Sequence, residues 1–262
     1  MQPEGGGRKP RTQLWLVPMT LLAALLIWQA VVQLAGLPAF ILPAPGEVGR
    51  RLVEALVDGS LLRHTMATMI EVVGGMAIGI LVATSLGYVL AKSPPVERIL
   101  APYIVASQSV PVVAIAPLLV IWFGSGRLSK ILISALIVFF PILVNTVVGV
   151  RSVPEDLRDL MRSLRATRWQ TFYLLEAPAA MPVLLGGLKV GATLSVIGAV
   201  VGEFVAADEG LGFLINVARG LYDTSLVFVS VFVLVTIALG FYAVVALMER
   251  WLLSWQNGGQ AS

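Results

Sequence analysis

Few residues in this chain have types and spacings suited to chemistry, and those few stand apart from one another. There is no cysteine and only one histidine, His64. Thiol chemistry and Cys-based metal sites are therefore excluded, no metal ligand stands near His64, and it reads as a helix-end residue. No Gly-x-x-x-x-Gly-Lys-Ser/Thr loop is present, so the chain has no usual means of holding ATP. No nucleophile–base pair is recognisable. What remains are polar side chains set singly in apolar stretches: Gln108, Ser109, Asn145, Thr193, Ser195 and Glu203. A polar group in lipid is costly and faces a cavity or another helix. These six are candidates to line a translocation path, with helix–helix hydrogen bonding as the equal alternative for each. Glu203 reads either as a gate or as an interfacial acid. Lys189 is the ionisable residue set deepest in an apolar stretch, and it has three possible fates: snorkelling, pairing with a carboxylate, or meeting an anion. The stretches themselves bury no acid on this reading, which argues against a proton-driven carrier.

The elements that must position these residues are membrane helices. Charged residues make up 13% of the chain against 58% hydrophobic, and the mean hydropathy is +0.90. A bilayer is crossed by about 20 apolar residues in a helix, because every backbone group must bond internally. Stretches 14–35, 72–91, 99–123, 131–150 and 224–248 meet that length free of charge, and 177–202 is interrupted only by Lys189. The expectation is an all-α polytopic protein with about six transmembrane helices. The first stretch follows Arg8, Lys9 and Arg11, is too long for a signal core, and reads as an anchor. With the N-terminus inside, eleven of the 18 basic residues fall in cytoplasmic segments and six outside. That bias places both termini in the cytoplasm. The corresponding division is a cytoplasmic tail (1–13), an anchor (14–35), an extracytoplasmic loop (36–65), a core (66–250) and a cytoplasmic tail (251–262).

Within 36–65, Val48, Leu52, Leu56 and Val57 share a helical face, with Glu47/Arg51 and Arg50/Glu54 at i,i+4 spacing. This segment reads as a helix in the membrane interface, either a plain linker or a docking surface. In 151–176, Ser152-Val-Pro154-Glu155 offers a cap and an early proline for a helix running through Leu164. Thr167-Arg-Trp-Gln170 offers a capping box for a second short helix before Pro178. Leu157, Leu160, Met161 and Leu164 form an apolar stripe that a solvated loop has little use for. The pairs Gly75/Gly79, Gly187/Gly191 and Gly198/Gly202 read as close packing within one subunit ahead of a dimer seam. Pro102, Pro111 and Pro117 are expected to break the third stretch, and Pro141 the fourth.

Asp159-Leu-Met-Arg-Ser-Leu-Arg-Ala166, followed by Pro178, Pro182 and Gly187-Leu-Lys189, resembles the loop motif of permeases of bacterial ATP-binding-cassette importers. Gly202-Glu203 supplies the ending of that pattern. Val110 to Gly124, Phe139 to Thr146, Gly210-Leu-Gly212 and Leu247 to Trp251 look like the nitrate/sulfonate/taurine-type branch. The resemblance covers roughly 38–255. Asp159 replaces the usual Glu, Arg165 stands at the usual Gly, and Glu71 stands where many relatives carry Arg.

The resemblance implies the type I importer permease fold in the bacterial cytoplasmic (inner) membrane, with no chemistry on the solute. It implies a second copy of the chain, two separate ATPase subunits holding ATP and magnesium, and an extracytoplasmic solute-binding protein, with no nucleic acid. It assigns coupling to the ATPase to Asp159, Leu160, Met161, Arg162, Ser163, Leu164, Arg165 and Ala166. Branch solutes are sulfonates, nitrate, and aromatic vitamins or pyrimidine precursors, and the 203–212 segment leans toward the last. The rival expectations are a stand-alone secondary carrier and a non-transporting assembly subunit.

Overall fold

The computed structural model describes residues 12–254, without the side chains of 12–15 and 17. Arg8, Lys9, Arg11 and the tail from 255 lie outside the described residues. The order is α1 (Thr12–Ala35), α2 (Pro45–Val57), α3 (Ser60–Lys92), α4 (Pro94–Gln108), α5 (Val112–Phe123), α6 (Arg127–Arg151), α7 (Glu155–Ser163) and α8 (Arg168–Thr171). A π turn (Phe172–Glu176), α9 (Ala177–Val205), α10 (Leu211–Gly220) and α11 (Thr224–Leu252) follow. There is no strand among the described residues. Five helices are long and apolar enough to span a membrane, and six spans result if α4 and α5 count as one.

The centre of the bundle is α6, clamped between α3 and α9. Small residues make this clamp tight. Gly75 of α3 and Gly198 of α9 both face Ser134, and a Cβ on Gly198 would stand 2.5 Å from the Ser134 Cα. The Ser134 hydroxyl donates to the Ser195 carbonyl at 2.9 Å. Gly79 meets Ala135 and Val138, Gly187 meets Asn145, and Gly202 meets Lys130. The glycine pairs thus serve packing within one chain, and the backbones approach because no side chain intervenes.

The third span differs from expectation. Instead of one helix over 99–123, α4 and α5 meet at 96°. The break falls at Ser109–Pro111, with Pro111 as the N-cap of α5. Pro102, Pro117 and Pro141 lie inside continuous helices. A proline within a helix is tolerated where neighbours take up the freed groups, so its presence alone did not locate the break.

At the end of the bundle opposite α7, helix α2 is docked rather than free. Val48 and Ala55 are buried in a cluster with Leu211, Leu214, Ala218, Leu226 and Val229, and Leu52 packs against it. Val57 and Leu56 of the expected stripe remain exposed. Arg51 reaches Asp223 at 2.8 Å and Arg50 pairs with Glu54. Glu47 accepts from the Ala44 amide, closing the start of α2 instead of pairing with Arg51. Trp28 of α1 stacks on Phe228 of α11, 5.3 Å between ring centroids.

Candidate functional site

The segment joining α6 to α9 carries the most distinctive surface. The expected cap at Ser152 is not formed, because its hydroxyl donates back to Gly149 and Pro154 caps α7 without a side-chain bond. Helix α7 buries no residue of its own. Leu157, Leu160 and Leu164 are 43%, 53% and 68% exposed, and Met161 is half-buried. Four large apolar side chains on one face therefore await a cover. Asp159 pairs with Arg162 at 2.6 Å on the exposed rim. The helix ends in a Schellman turn: the Ala166 amide donates to Met161 O and the Arg165 amide to Arg162 O, both at 2.9 Å. Arg165 itself takes the left-handed conformation, φ 52°.

The capping box at Thr167 does form. Thr167 Oγ1 accepts from the Gln170 amide at 3.2 Å, and Gln170 Oε1 accepts from the Thr167 amide at 2.8 Å. The second short helix is nevertheless not separate. Through the π turn it runs on as one apolar rod, Arg168–Val205. The wider turn precedes Pro178, which has no N–H to offer an ordinary i→i−4 bond.

Glu176 closes that π turn and is 1% exposed. Its carboxylate accepts from Lys92 Nζ and from Tyr88 Oη at 3.0 Å, both at the end of α3. Arg158 of α7 stands 4.0 Å away and donates to Val150 O of α6 at 2.7 Å. Two elements, α3 and α7, thus bring groups to one carboxylate on a third. Arg151 and Glu97 form a two-pronged pair beside it, joining α6 to α4. A cavity of about 790 Å³ opens next to this cluster, lined by Thr84, Ser85, Tyr88, Thr146, Trp169, Phe172, Glu176 and their apolar neighbours.

The opposite end of α9 carries a second buried cluster. Glu203, 1% exposed, accepts from Thr68 Oγ1 at 2.6 Å and from the Gly212 amide. The Leu211 amide donates to Thr68 at 2.8 Å and the Gly210 amide to His64 Nδ1 at 3.1 Å. The start of α10 therefore points its free amides at this group, where a carboxylate is favoured. Beside it, Glu71 is 1% and Lys130 4% exposed, with Nζ to Oε1 at 3.7 Å. Glu71 Oε2 accepts no hydrogen bond among the described residues. Above lies a smaller cavity of about 200 Å³ bordered by Glu71, Lys130, Arg127, Asp208 and Glu209. Glu209 bonds Arg63 at 2.8 Å and Arg127 at 3.3 Å, and these hydrogen bonds hold its carboxyl below the usual range.

These clusters correct the reading that the spans bury no acid. The apolar stretches were bounded at 72, 131 and 202, one residue short of each charge. The helices run past those limits, and α10 covers them. Lys189 pairs with Glu249 of α11.

The path candidates are scattered. Gln108 and Ser109 sit exposed at the α4/α5 break. Asn145 donates to Pro141 O at 2.7 Å, Thr193 to Val190 O at 2.9 Å, and Ser195 is fully buried against α6. None of the six lines either cavity. No cluster of three or more His, Cys, Asp or Glu suited to a metal occurs among the described residues.

Residues 75–254 match the family described as binding-protein-dependent transport system inner membrane component. The chain belongs to that family. It is 50% identical over 240 residues to the riboflavin transport system permease protein RibX of Chloroflexus aurantiacus, covering 92% of this chain and 90% of that one. It is 34% identical to the formylaminopyrimidine transport permease protein ThiX of Halalkalibacterium halodurans (90% and 94% covered). It is 31% identical to the taurine transport system permease protein TauC of Escherichia coli (91% and 88%). This protein is accordingly a multi-pass inner-membrane permease subunit of an ATP-binding-cassette importer for small solutes, of the nitrate/sulfonate/taurine type.

Proposed function

We propose that this permease imports a planar aromatic heterocycle of the riboflavin class by alternating access, driven by ATP hydrolysed on a separate ATPase that seats on α7. The observation that carries the coupling assignment is the Leu157/Leu160/Met161/Leu164 stripe, whose three leucines stay exposed among the described residues. On this reading the α7 end faces the cytoplasm, both termini lie on that side, and α2, α10 and the 206–210 loop face the binding protein. Two copies of the chain enclose the path, and the bent α4/α5 pair, which buries only Ala116, faces the second copy. The solute class is supported by the 50% identity to a riboflavin permease across nearly the whole chain.

The physical work of this chain is mechanical. An ATPase that grips the stripe and closes on ATP displaces α7 relative to α3, α6 and α9, and the spans tilt in response. Burying one leucine is worth roughly 1.5–3 kcal/mol, so losing one from a seat of this kind weakens assembly about tenfold or more. The test is co-purification of the ATPase together with uptake of labelled riboflavin into proteoliposomes holding the full complex. Leu164→Glu is expected to detach the ATPase and stop uptake while the spans stay folded. Wild-type assembly and uptake in that variant would make the stripe mere decoration. Uptake of taurine but not riboflavin by the unaltered complex would overturn the solute class and leave the coupling intact.

A further inference from the structure

Helix α7 makes little contact with the bundle beyond Arg158, and the geometry around that residue is incomplete. Its guanidinium donates to Val150 O, yet its Nε is buried without an acceptor among the described residues. The nearest carboxylate oxygen, on Glu176, is 4.0 Å from that Nε. A charge-assisted N–H···O bond closes at about 2.7–2.9 Å, so an approach of roughly 1 Å would complete it. Glu176 meanwhile is already tied to Lys92 and Tyr88, at the last turn of α3. It sits on a π turn, a wider and less regular turn often found where helices must yield.

We infer that Glu176 is the joint between the coupling helix and the spans, with Arg158 closing on it as α7 is driven toward the bundle and with Lys92 and Tyr88 handing that displacement to α3. Glu176 is a positioning residue in this role, and it touches no solute or nucleotide. Arg158, half-buried and between two partners, is the side chain through which α7 engages. The inference rests on the proposed seating of an ATPase on α7 and adds the route by which the displacement leaves that helix.

A purely structural ion pair would affect only stability, so the deciding measurement is the number of ATP molecules hydrolysed per solute imported. It is made on the complete complex with loaded binding protein in proteoliposomes. Arg158→Gln removes the α7 side of the joint and leaves the buried Glu176–Lys92–Tyr88 contacts in place, so folding is not at stake. It is expected to keep the ATPase bound and hydrolysing while that ratio rises about fivefold or more, the range of ordinary coupling energies. Arg158→Lys, which still brings a cation to Glu176, should recover most of the coupling. Spin labels at Ser93 and Ser163 supply the second readout. In the unaltered protein the distance between them should change on nucleotide binding by no more than the roughly 1 Å of that closure, because the closed joint then moves both as one body. In Arg158→Gln and Glu176→Gln it should change by more. A wild-type ratio and a wild-type distance change in Arg158→Gln would overturn the joint. If Leu164→Glu also left the ATPase seated, the coupling reading would fall with it; detachment by Leu164→Glu beside normal coupling in Arg158→Gln would sink the joint alone.

Discussion

The two ends of α9 each carry one fully buried glutamate, and the environments of those glutamates differ in kind. Glu176 and Glu203 are 27 residues apart, a helical distance of about 40 Å that takes the rod across a bilayer. Glu176 faces two cations and a phenol drawn from α3 and α7, one cation being 38% exposed. Glu203 faces backbone amides of α10, a threonine, and a neighbouring pair, Glu71 with Lys130, that is buried throughout. The first cluster has cations to spare and borders α7, the part proposed to move. The second has two carboxyls for one ammonium and is sealed by packing. A cluster with spare, partly wet cations can exchange contacts at little cost. A sealed one with an odd charge resists any step that removes a partner. The difference assigns flexibility to the α7 end and rigidity to the other.

The sharpest way to break that comparison is to delete one lysine at each end. Lys130→Met leaves Glu71 and Glu203 buried without a cation, and removing one partner of a buried pair costs about 3–5 kcal/mol. Lys92→Met leaves Arg158 and Tyr88 beside Glu176, so the buried carboxylate keeps a cation and the loss should fall well below that. Reversible unfolding of the detergent-purified variants should show that order. Equal losses would mean the two ends are not different in kind.

A second prediction concerns the loops that leave these ends. Gly210 has φ 116°, and a Cβ there would collide with the Glu203 carboxylate. Gly210→Ala should therefore destabilise by about 1–3 kcal/mol, as overpacked sites do, and should loosen α10 from the cluster. Hydrogen exchange at the Gly210, Leu211 and Gly212 amides measures this directly. Unchanged protection of those amides would detach the loop from the cluster's stability.

How much of this was legible beforehand follows from where each signal lives. The spans, the Thr167 capping box and the α7 stripe are local patterns, and each was readable from types and spacing. The glycine pairs also announced close packing, though not that Ser134 would be the shared contact. The buried clusters were not readable, because burial of Glu71, Lys130 and Glu203 depends on α10 folding over helix ends that hydropathy had already cut off. The break at Pro111 was obscured by four prolines of equal standing, three of which sit inside continuous helices. Nothing in the local pattern of α7 marks Arg158 for a partner. Only the chain's return at the π turn brings Glu176 beneath it.

The smallest expected effect lies at the other loop, and it tests what the α7 end requires. Arg165 occupies an exposed left-handed position, so its cost is torsional, roughly 1–2 kcal/mol for a residue with a Cβ. Arg165→Gly relieves that strain but frees the unfolded chain by about 0.4–1 kcal/mol, and the two nearly cancel. Stability should shift by less than about 1 kcal/mol, and ATPase binding and uptake should be unchanged. Arg165→Val is the informative contrast, since a β-branched side chain is a genuine outlier at positive φ and would force the Schellman turn open. That would turn Leu164 away from Leu160 and Met161 and reduce ATPase co-purification. If Arg165→Gly weakened assembly as much as Arg165→Val, the guanidinium itself would be the contact. The bend would then matter less than the charge, and the α7 end would be held to its partner by electrostatics rather than by the shape of its turn.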